Sequence, residues 1–498
     1  MNKRIYWIVS AIIIKLTFSI IFITIHQHGH SINKFYGRFG GDSSEYIGSI
    51  ENFIKQGHYI TNPQDIRTST RRMPGYGAVY YFPRLLFTQA NALNILIILQ
   101  ILLSAVSVYY LALTAYLIFQ KKTIFYITFF LYVFSTFVSI FDDTVLTESF
   151  STSSLIFAFY FLIKTLNTNS KKPLFFSGLF LSWCVFMKPY FILFFPLFVI
   201  VLLSNYFFKQ PKQLLRLTFI NLIIFISSFS ILESLWIFRN YKIYHYFVPL
   251  AYVDTSLETT VSKLAPFALI IGSRGSLYNF IQIIGGRWTQ WNPKSEGCWV
   301  EGFGHTADYW NPIYELPKNN PFPNFIYTSK YNFNSLVNMR KIYLMAHDIN
   351  LSIPEREKYE KMVTSILKDY TNSFIKEHPF HYYVTARLRH IYLFLFHSGT
   401  YNLLPVSFNK MTFTEKIIKI IFSLLYLFII IGGLLGIILI LFKKCNILTV
   451  SLCIMPLYFI VLFAMILRNP TYRFFVPAYP FMVVLSSHIL SRLYWKES

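Results

Sequence analysis

Two carboxylates three residues apart, Asp42 and Glu45, lie in Gly40-Gly41-Asp42-Ser43-Ser44-Glu45-Tyr46, just past the first apolar segment. At i and i+3 on a helix they share a face. One can serve as base on a hydroxyl, and the other can hold that hydroxyl or a metal. The same spacing also suits a plain helix start, with Asp42 as N-cap and Glu45 as its capping-box partner. Acidic side chains are costly beside hydrocarbon and are seldom placed there without a function.

Three more groups carry charge at apolar boundaries. Arg71-Arg72-Met73-Pro74-Gly75-Tyr76 sets two guanidiniums before a rigid turn, where they can grip a phosphate bidentately or reach to lipid head groups. Asp142-Asp143-Thr144 with Thr147-Glu148 places three carboxylates at one boundary; Asp142 and Asp143 can break and cap helices, whereas Glu148 falls inside a predicted helix. Arg468-Asn469-Pro470-Thr471-Tyr472-Arg473 sets two arginines before the last apolar run. Lys188-Pro189 is either a kink between two spans or a further phosphate contact. His26, His28 and His30 alternate as strand ligands would, but they sit where a helix leaves the membrane.

The elements that position these groups follow from composition. The chain has 498 residues, 54% hydrophobic and 13% charged, with 53 Phe and 36 Tyr, which marks an all-α polytopic membrane protein. Lys and Arg exceed Asp and Glu by 45 to 22, yet the basic residues fall in short runs between apolar segments, as topology signals do, so no nucleic-acid partner is implied. The four cysteines form no CxxC or disulfide framework. The N-terminal apolar run after Lys3-Arg4 is long and lacks a small-residue cleavage site, so it reads as an uncleaved anchor. No Walker A, GxGxxG or GxSxG pattern occurs.

Apolar runs predict spans near 5–25, 92–118, 123–141, 147–165, 173–187, 189–207, 215–237, 414–441, 447–467 and 473–491. With both termini inside, every short basic cluster lies on the cytoplasmic side; residues 382–400 then form a surface or re-entrant helix, or an eleventh span. The predicted domains are a transmembrane module over 1–237 with a juxtamembrane first outer loop (26–91), an extracytoplasmic, partly helical region over 238–413, and C-terminal transmembrane helices over 414–498. The first outer loop holds an amphipathic helix closing at Gly57, expected on the membrane surface. The second outer region carries Trp288, Trp291, Trp299 and Trp310 and then a polar helix from Pro354 to about Glu377.

Together these motifs resemble the GT-C superfamily of polytopic glycosyltransferases, in particular the bacterial relatives of protein O-mannosyltransferases and aminoarabinose transferases. The matching residues are Asp42-x-x-Glu45-Tyr46, Arg72-x-Pro74-Gly75-Tyr76, Thr147-Glu148, Trp236-Ile237-Phe238-Arg239-Asn240-Tyr241, His378-Pro379-Phe380-His381-Tyr382-Tyr383 and Tyr472-Arg473-x-x-x-Pro477. The chain departs from the family's pattern where Ser43 follows Asp42 instead of a second acid, where Leu235 rather than Pro precedes Trp236, and where His378 replaces Asn. The resemblance implies transfer of a sugar from a polyprenyl-phosphate donor to a hydroxyl of a glycan, lipid or protein at the outer face of a bacterial inner membrane. It implies Asp42, Glu45, Asp143 and Glu148 as catalytic candidates, and Arg71, Arg72, Lys188 and Arg473 as donor-phosphate ligands. Tyr46, Tyr76 and Arg239 are the substrate-binding candidates. No cofactor is certain, and a divalent cation is possible. The competing classes are a transporter or flippase, which would show inverted repeats and acids at mid-membrane depth, and a polysaccharide polymerase of the cell envelope.

Overall fold

A computed structural model describes residues 2–25, 34–61, 72–209, 213–245, 247–250, 324–346, 348, 350–442, 446–467 and 471–494. The described residues are helical, and their one β-type pairing is an isolated parallel bridge between Arg38 and Thr144. This follows from the apolar composition, because backbone polar groups in hydrocarbon must be satisfied within the segment.

Six helical stretches among the described residues are long and apolar enough to cross a membrane: Arg4–Ile25, Gln89–Phe119, Glu148–Thr168, Leu217–Ile243, Phe413–Leu441 and Ile447–Ile466. The chain is therefore a multi-pass membrane protein. Four other expected spans fold as shorter helices. The run 123–141 divides into α5 (Lys122–Val133) and a four-residue turn of helix, α6 (Thr136–Ser139). The break falls at Ser135, whose hydroxyl bonds Tyr479 at 3.0 Å. The runs at 173–187 and 189–207 become α8 (Lys171–Met187) and, after a 3₁₀ turn begun by Pro189, α9 (Phe194–Lys209). The last run begins with a 3₁₀ turn, Tyr472–Phe475, and continues as a helix at Tyr479–Tyr494.

The chain divides into two compact units, Met1–Ala251 with Phe396–Tyr458 and Tyr472–Ser498, and Tyr252–Leu395 with Phe459–Thr471. In the first unit, α2 (Ser43–Gln56) ends at Gly57, whose φ of 75° supplies the left-handed stop expected of it. Its inner face, Tyr46, Ile47 and Ile50, is buried, and α3 (Gly75–Leu86) lies against it. Glu51 ties the two helices through Tyr80 (2.6 Å) and Arg84 (2.8 Å). The long helix α4 (Gln89–Phe119) and α7 (Glu148–Thr168) form the centre, with α7 almost wholly buried. Phe413–Leu441 and Tyr479–Tyr494 approach closely because Gly432, Gly433 and Gly436 face Ser486, Met482 and Leu485.

In the second unit, Phe333–Ala346 and Ile353–Glu377 form a helical pair around Leu336, Met339, Tyr343, Val363, Leu367, Tyr370 and Phe374. The longer helix begins as expected, with Pro354 in its first turn and the Glu355 carboxylate accepting the Ser352 N–H at 3.0 Å. The stretch expected as a surface or re-entrant helix, 382–400, takes in most of a π-helical turn, His381–Thr385, and the ten-residue helix Ala386–Leu395. The histidines at 26–30 and the tryptophans at 288–310 lie outside the described residues.

Candidate active site

Asp42 immediately precedes α2, but its side chain does not cap the helix. Only its carbonyl serves there, accepting from the N–H groups of Glu45 and Tyr46 at 3.2 and 3.4 Å. The capping box expected from Asp42 and Glu45 is therefore not formed. Two arginines claim the carboxylates instead, since a charge-assisted hydrogen bond outcompetes a neutral N–H. Asp42 Oδ1 accepts from Arg72 Nη2 at 3.1 Å, and Oδ2 accepts from Arg473. Glu45 Oε2 accepts from Arg72 Nε at 2.6 Å. The Arg72 guanidinium lies over the Tyr46 ring, 4.9 Å from its centroid.

The network continues inward. Arg473 Nε lies 2.6 Å from Glu148 Oε1, and Lys188 Nζ donates to the same oxygen at 2.7 Å. Acids and bases alternate along Glu45, Arg72, Asp42, Arg473, Glu148 and Lys188, and the six come from five chain regions, Asp42 and Glu45 sharing one. The Glu148 side chain is 1% exposed and that of Asp42 31%, so the row has a buried end and an open one. Burial works to raise the Asp42 carboxyl, but Arg473 and Arg72 beside it hold it at about 2. Asp42 is thus ionised at neutral pH and occupied by its counter-ions. Lys188 is the extended residue between α8 and the Pro189 turn, so the kink and the buried contact coexist.

The loops carrying Asp42 and Glu148 are tied by backbone and side chain. The Arg38 N–H donates to the Asp143 carbonyl and the Val145 N–H to the Arg38 carbonyl, both at 2.8 Å. The Ser43 hydroxyl donates to the Val145 carbonyl at 2.6 Å and accepts the Gly40 N–H at 2.7 Å. Arg38 grips the Asp143 carboxylate with Nε at 3.0 Å and Nη2 at 2.7 Å, and its Nη1 reaches the Asn402 carbonyl at 3.0 Å. Asn402 in turn donates to the Tyr472 hydroxyl, and His397 stacks on the Tyr472 ring at 4.3 Å. Arg38 thereby links the segments that precede Asp42, Glu148 and Arg473.

The structure does not bring all the expected residues together. Asp143 pairs with Arg38, away from the Asp42 row, because a fully buried carboxylate needs a counter-ion and Arg38 supplies it. Asp142 is also taken up internally, accepting from Lys15 (3.1 Å), Ser104 (2.9 Å) and Ser149 (2.6 Å). Tyr76 is fully buried; its hydroxyl donates to Gln100 Oε1 at 2.7 Å, and Gln100 Nε2 donates to the carbonyls of Asp142 and Thr144. Its ring backs Tyr46 at 5.4 Å, so both tyrosines support Arg72 from beneath. Arg239 stacks on Trp236 at 4.9 Å and donates to the Tyr59 carbonyl at 3.3 Å, while the Tyr59 hydroxyl donates to the Arg72 carbonyl at 3.2 Å. It stands one residue behind the row. Arg71 lies outside the described residues.

Sequence reading missed Arg38, Gln100 and Lys15. The signal for Lys15 and Gln100 was a polar residue inside an otherwise apolar span, and for Arg38 a lone cation four residues before Asp42. Among the described residues no group of three or more His, Cys, Asp and Glu side chains is placed to hold a metal ion. The carboxylates of the row all face arginine or lysine, a donor set that does not fit a divalent cation.

Residues 79–230 match the family described as dolichyl-phosphate-mannose-protein mannosyltransferase. No curated protein matches the chain. A crystal structure of ArnT from Cupriavidus metallidurans in the apo state is similar at 11% identity, covering 97% of this chain and 77% of that one, with a TM-score of 0.36. The family match runs from within α3 into the helix Leu217–Ile243 and takes in α4, α7 and α8. The chain is thus similar to that family over part of a multi-pass helical fold.

Proposed function

We propose that the chain moves a sugar from a polyprenyl-phosphate donor to an acceptor hydroxyl at the extracytoplasmic face of a bacterial inner membrane, by a single inverting displacement. The observation that carries this reading is the row itself, with Asp42, its most exposed carboxylate, between Arg72 and Arg473 and with Lys188 at its buried end. In this reading the acceptor oxygen bonds to the anomeric carbon as the anomeric carbon–phosphate oxygen bond breaks. The hydroxyl proton passes to Asp42, and the lipid phosphate leaves with its charge stabilised by Arg72, Arg473 and Lys188.

Each guanidinium has five N–H donors, of which hydrogen bonds to the row's carboxylates use two on Arg72 and one on Arg473, so a phosphate can join without a carboxylate first leaving. A phosphate that draws the arginines toward itself weakens their hold on Asp42 and raises its basicity. Donor binding thus readies the base. Glu148 keeps Arg473 and Lys188 in place, and Glu45 does the same for Arg72.

The test is transfer by the purified chain in nanodiscs, supplied with polyprenyl-phosphate sugars and candidate acceptors and read by mass spectrometry, with NMR assigning the product anomer. Surface glycans compared with and without the gene identify the sugar and acceptor. A retained anomeric configuration would overturn the single displacement, and absence of any sugar transfer would overturn the reaction class.

A further inference from the structure

Two consecutive acids in the turn before α7 are held by different cations. Asp143 is taken by Arg38. Asp142 is taken by Lys15, which lies inside the first helix, Asn2–Ile25, ten residues and about 15 Å of helix before Ile25. Both side chains of this pair are shielded from solvent, at 0% and 3% exposure. Lys15 Nζ donates to Asp142 Oδ2 at 3.1 Å and to Ser139 Oγ at 2.8 Å, and Ser104 of α4 donates to the same Asp142 oxygen at 2.9 Å. The other oxygen, Oδ1, accepts from Ser149 in the first turn of α7 at 2.6 Å.

A charge so deep in an apolar span is costly. A buried ion pair adds little net stability, and an apolar pair of similar volume holds a fold as well or better. What the charged pair supplies is direction, because a carboxylate gripped on one oxygen by Lys15 presents the other at a set angle. α7 starts at Thr147 without a side-chain cap, so its first turn is oriented from the side, through Ser149. Ser149 directly follows Glu148, whose Oε1 is the atom that Arg473 and Lys188 both approach.

We infer that Lys15 is a positioning residue for the charged row: through Asp142 and Ser149 it sets the first turn of α7 so that the Glu148 carboxylate meets Arg473 and Lys188. The inference rests on the proposed function for what the row does in turnover, whereas the linkage from Lys15 to Lys188 can be measured without it.

Ser149→Ala and Ser104→Ala each delete one hydrogen bond to Asp142 and leave its ion pair intact, but only the first cuts the link to α7. A merely structural pair makes the two variants alike. Positioning makes them differ: Ser149→Ala should lower kcat roughly tenfold or more, since a misplacement of about 1 Å can cost ~10²-fold, with the acceptor KM little changed. Ser104→Ala should keep the wild-type kcat. The readout without turnover is the basicity of Lys188, followed by reductive methylation across pH and peptide mass spectrometry. Burial brings that amine down to about 8, and Glu148 beside it limits the fall. A Glu148 that has moved off Lys188 lowers the midpoint further, so Ser149→Ala should titrate below wild type and Ser104→Ala at the wild-type value.

Lys15→Met with Asp142→Leu removes both charges together. Its melting temperature in detergent should stay near that of wild type, while kcat and the Lys188 midpoint fall as in Ser149→Ala. Wild-type kcat and midpoint in the folded double variant, or equal values in Ser149→Ala and Ser104→Ala, overturn the inference. The two serine variants decide if the double variant does not fold. If the wild-type chain transfers no sugar, the proposed function fails and the Lys188 midpoints alone decide.

Discussion

Asp42→Asn separates catalysis from structure at the residue on which the proposed reaction turns. Asn keeps the size of Asp and an oxygen for Arg72 or Arg473, but it cannot take a proton at neutral pH. The stability at stake follows from the carboxyl's displacement from 3.8 to about 2, set by burial, which opposes it, and by Arg473 and Arg72, which prevail. That displacement corresponds to about 2.5 kcal/mol at ~1.4 kcal/mol per tenfold. Partial exposure to water screens the pairs and brings the expected cost to about 1–2 kcal/mol. The sign is fixed by the direction: a carboxyl held below its ordinary value stabilises the fold fully above pH 3.8, and the contribution is lost as pH falls toward 2. Arg72 keeps Glu45 and Arg473 keeps Glu148, so the variant is expected to fold. Its apparent melting temperature in detergent should drop by only a few degrees at neutral pH, and the gap to wild type should close as the pH approaches 2. Sugar transfer in nanodiscs should fall about 10²–10⁴-fold, the usual contribution of a positioned base. Monodisperse Asp42→Asn protein that transfers at near the wild-type rate would refute Asp42 as base.

Two further outcomes test how the site is held. Arg38→Ala leaves the fully buried Asp143 carboxylate without its guanidinium and should lower stability by about 3 kcal/mol or more, whereas Arg38→Met combined with Asp143→Leu should recover part of the loss; equal melting temperatures for the first variant and wild type would show the clamp to be idle. Gly436→Val drives a side chain into the Leu485 backbone, whose carbonyl oxygen is 2.9 Å from the position of a Cβ, and should cost about 1–3 kcal/mol, read as lower yield and melting temperature in detergent.

Much of this protein was legible from residue types alone. Length of apolar run decides which segments can cross a bilayer, and six of the expected spans appear as long helices. Local chemistry likewise announced the Gly57 stop and the Pro354 start. The sequence also named Asp42, Arg72, Glu148, Lys188 and Arg473 as site candidates, the acids because such charges are costly at a membrane boundary. What it could not decide is which charge meets which, because 431 positions separate Asp42 from Arg473 and only folding brings them within hydrogen-bond reach.

Partner choice also overruled a local rule. Asp42 and Glu45 have the spacing of a capping box, yet the carboxylates turn to arginines that no local pattern predicts. Asp143 looked equivalent to Glu148 by type and place, and tertiary structure separated them by giving Asp143 to Arg38 and Glu148 to Arg473 and Lys188. The physical reason is common to both cases. Composition and periodicity act through neighbours in the chain, whereas ion pairing in a low-dielectric interior depends on distance in space, which only the folded helices set.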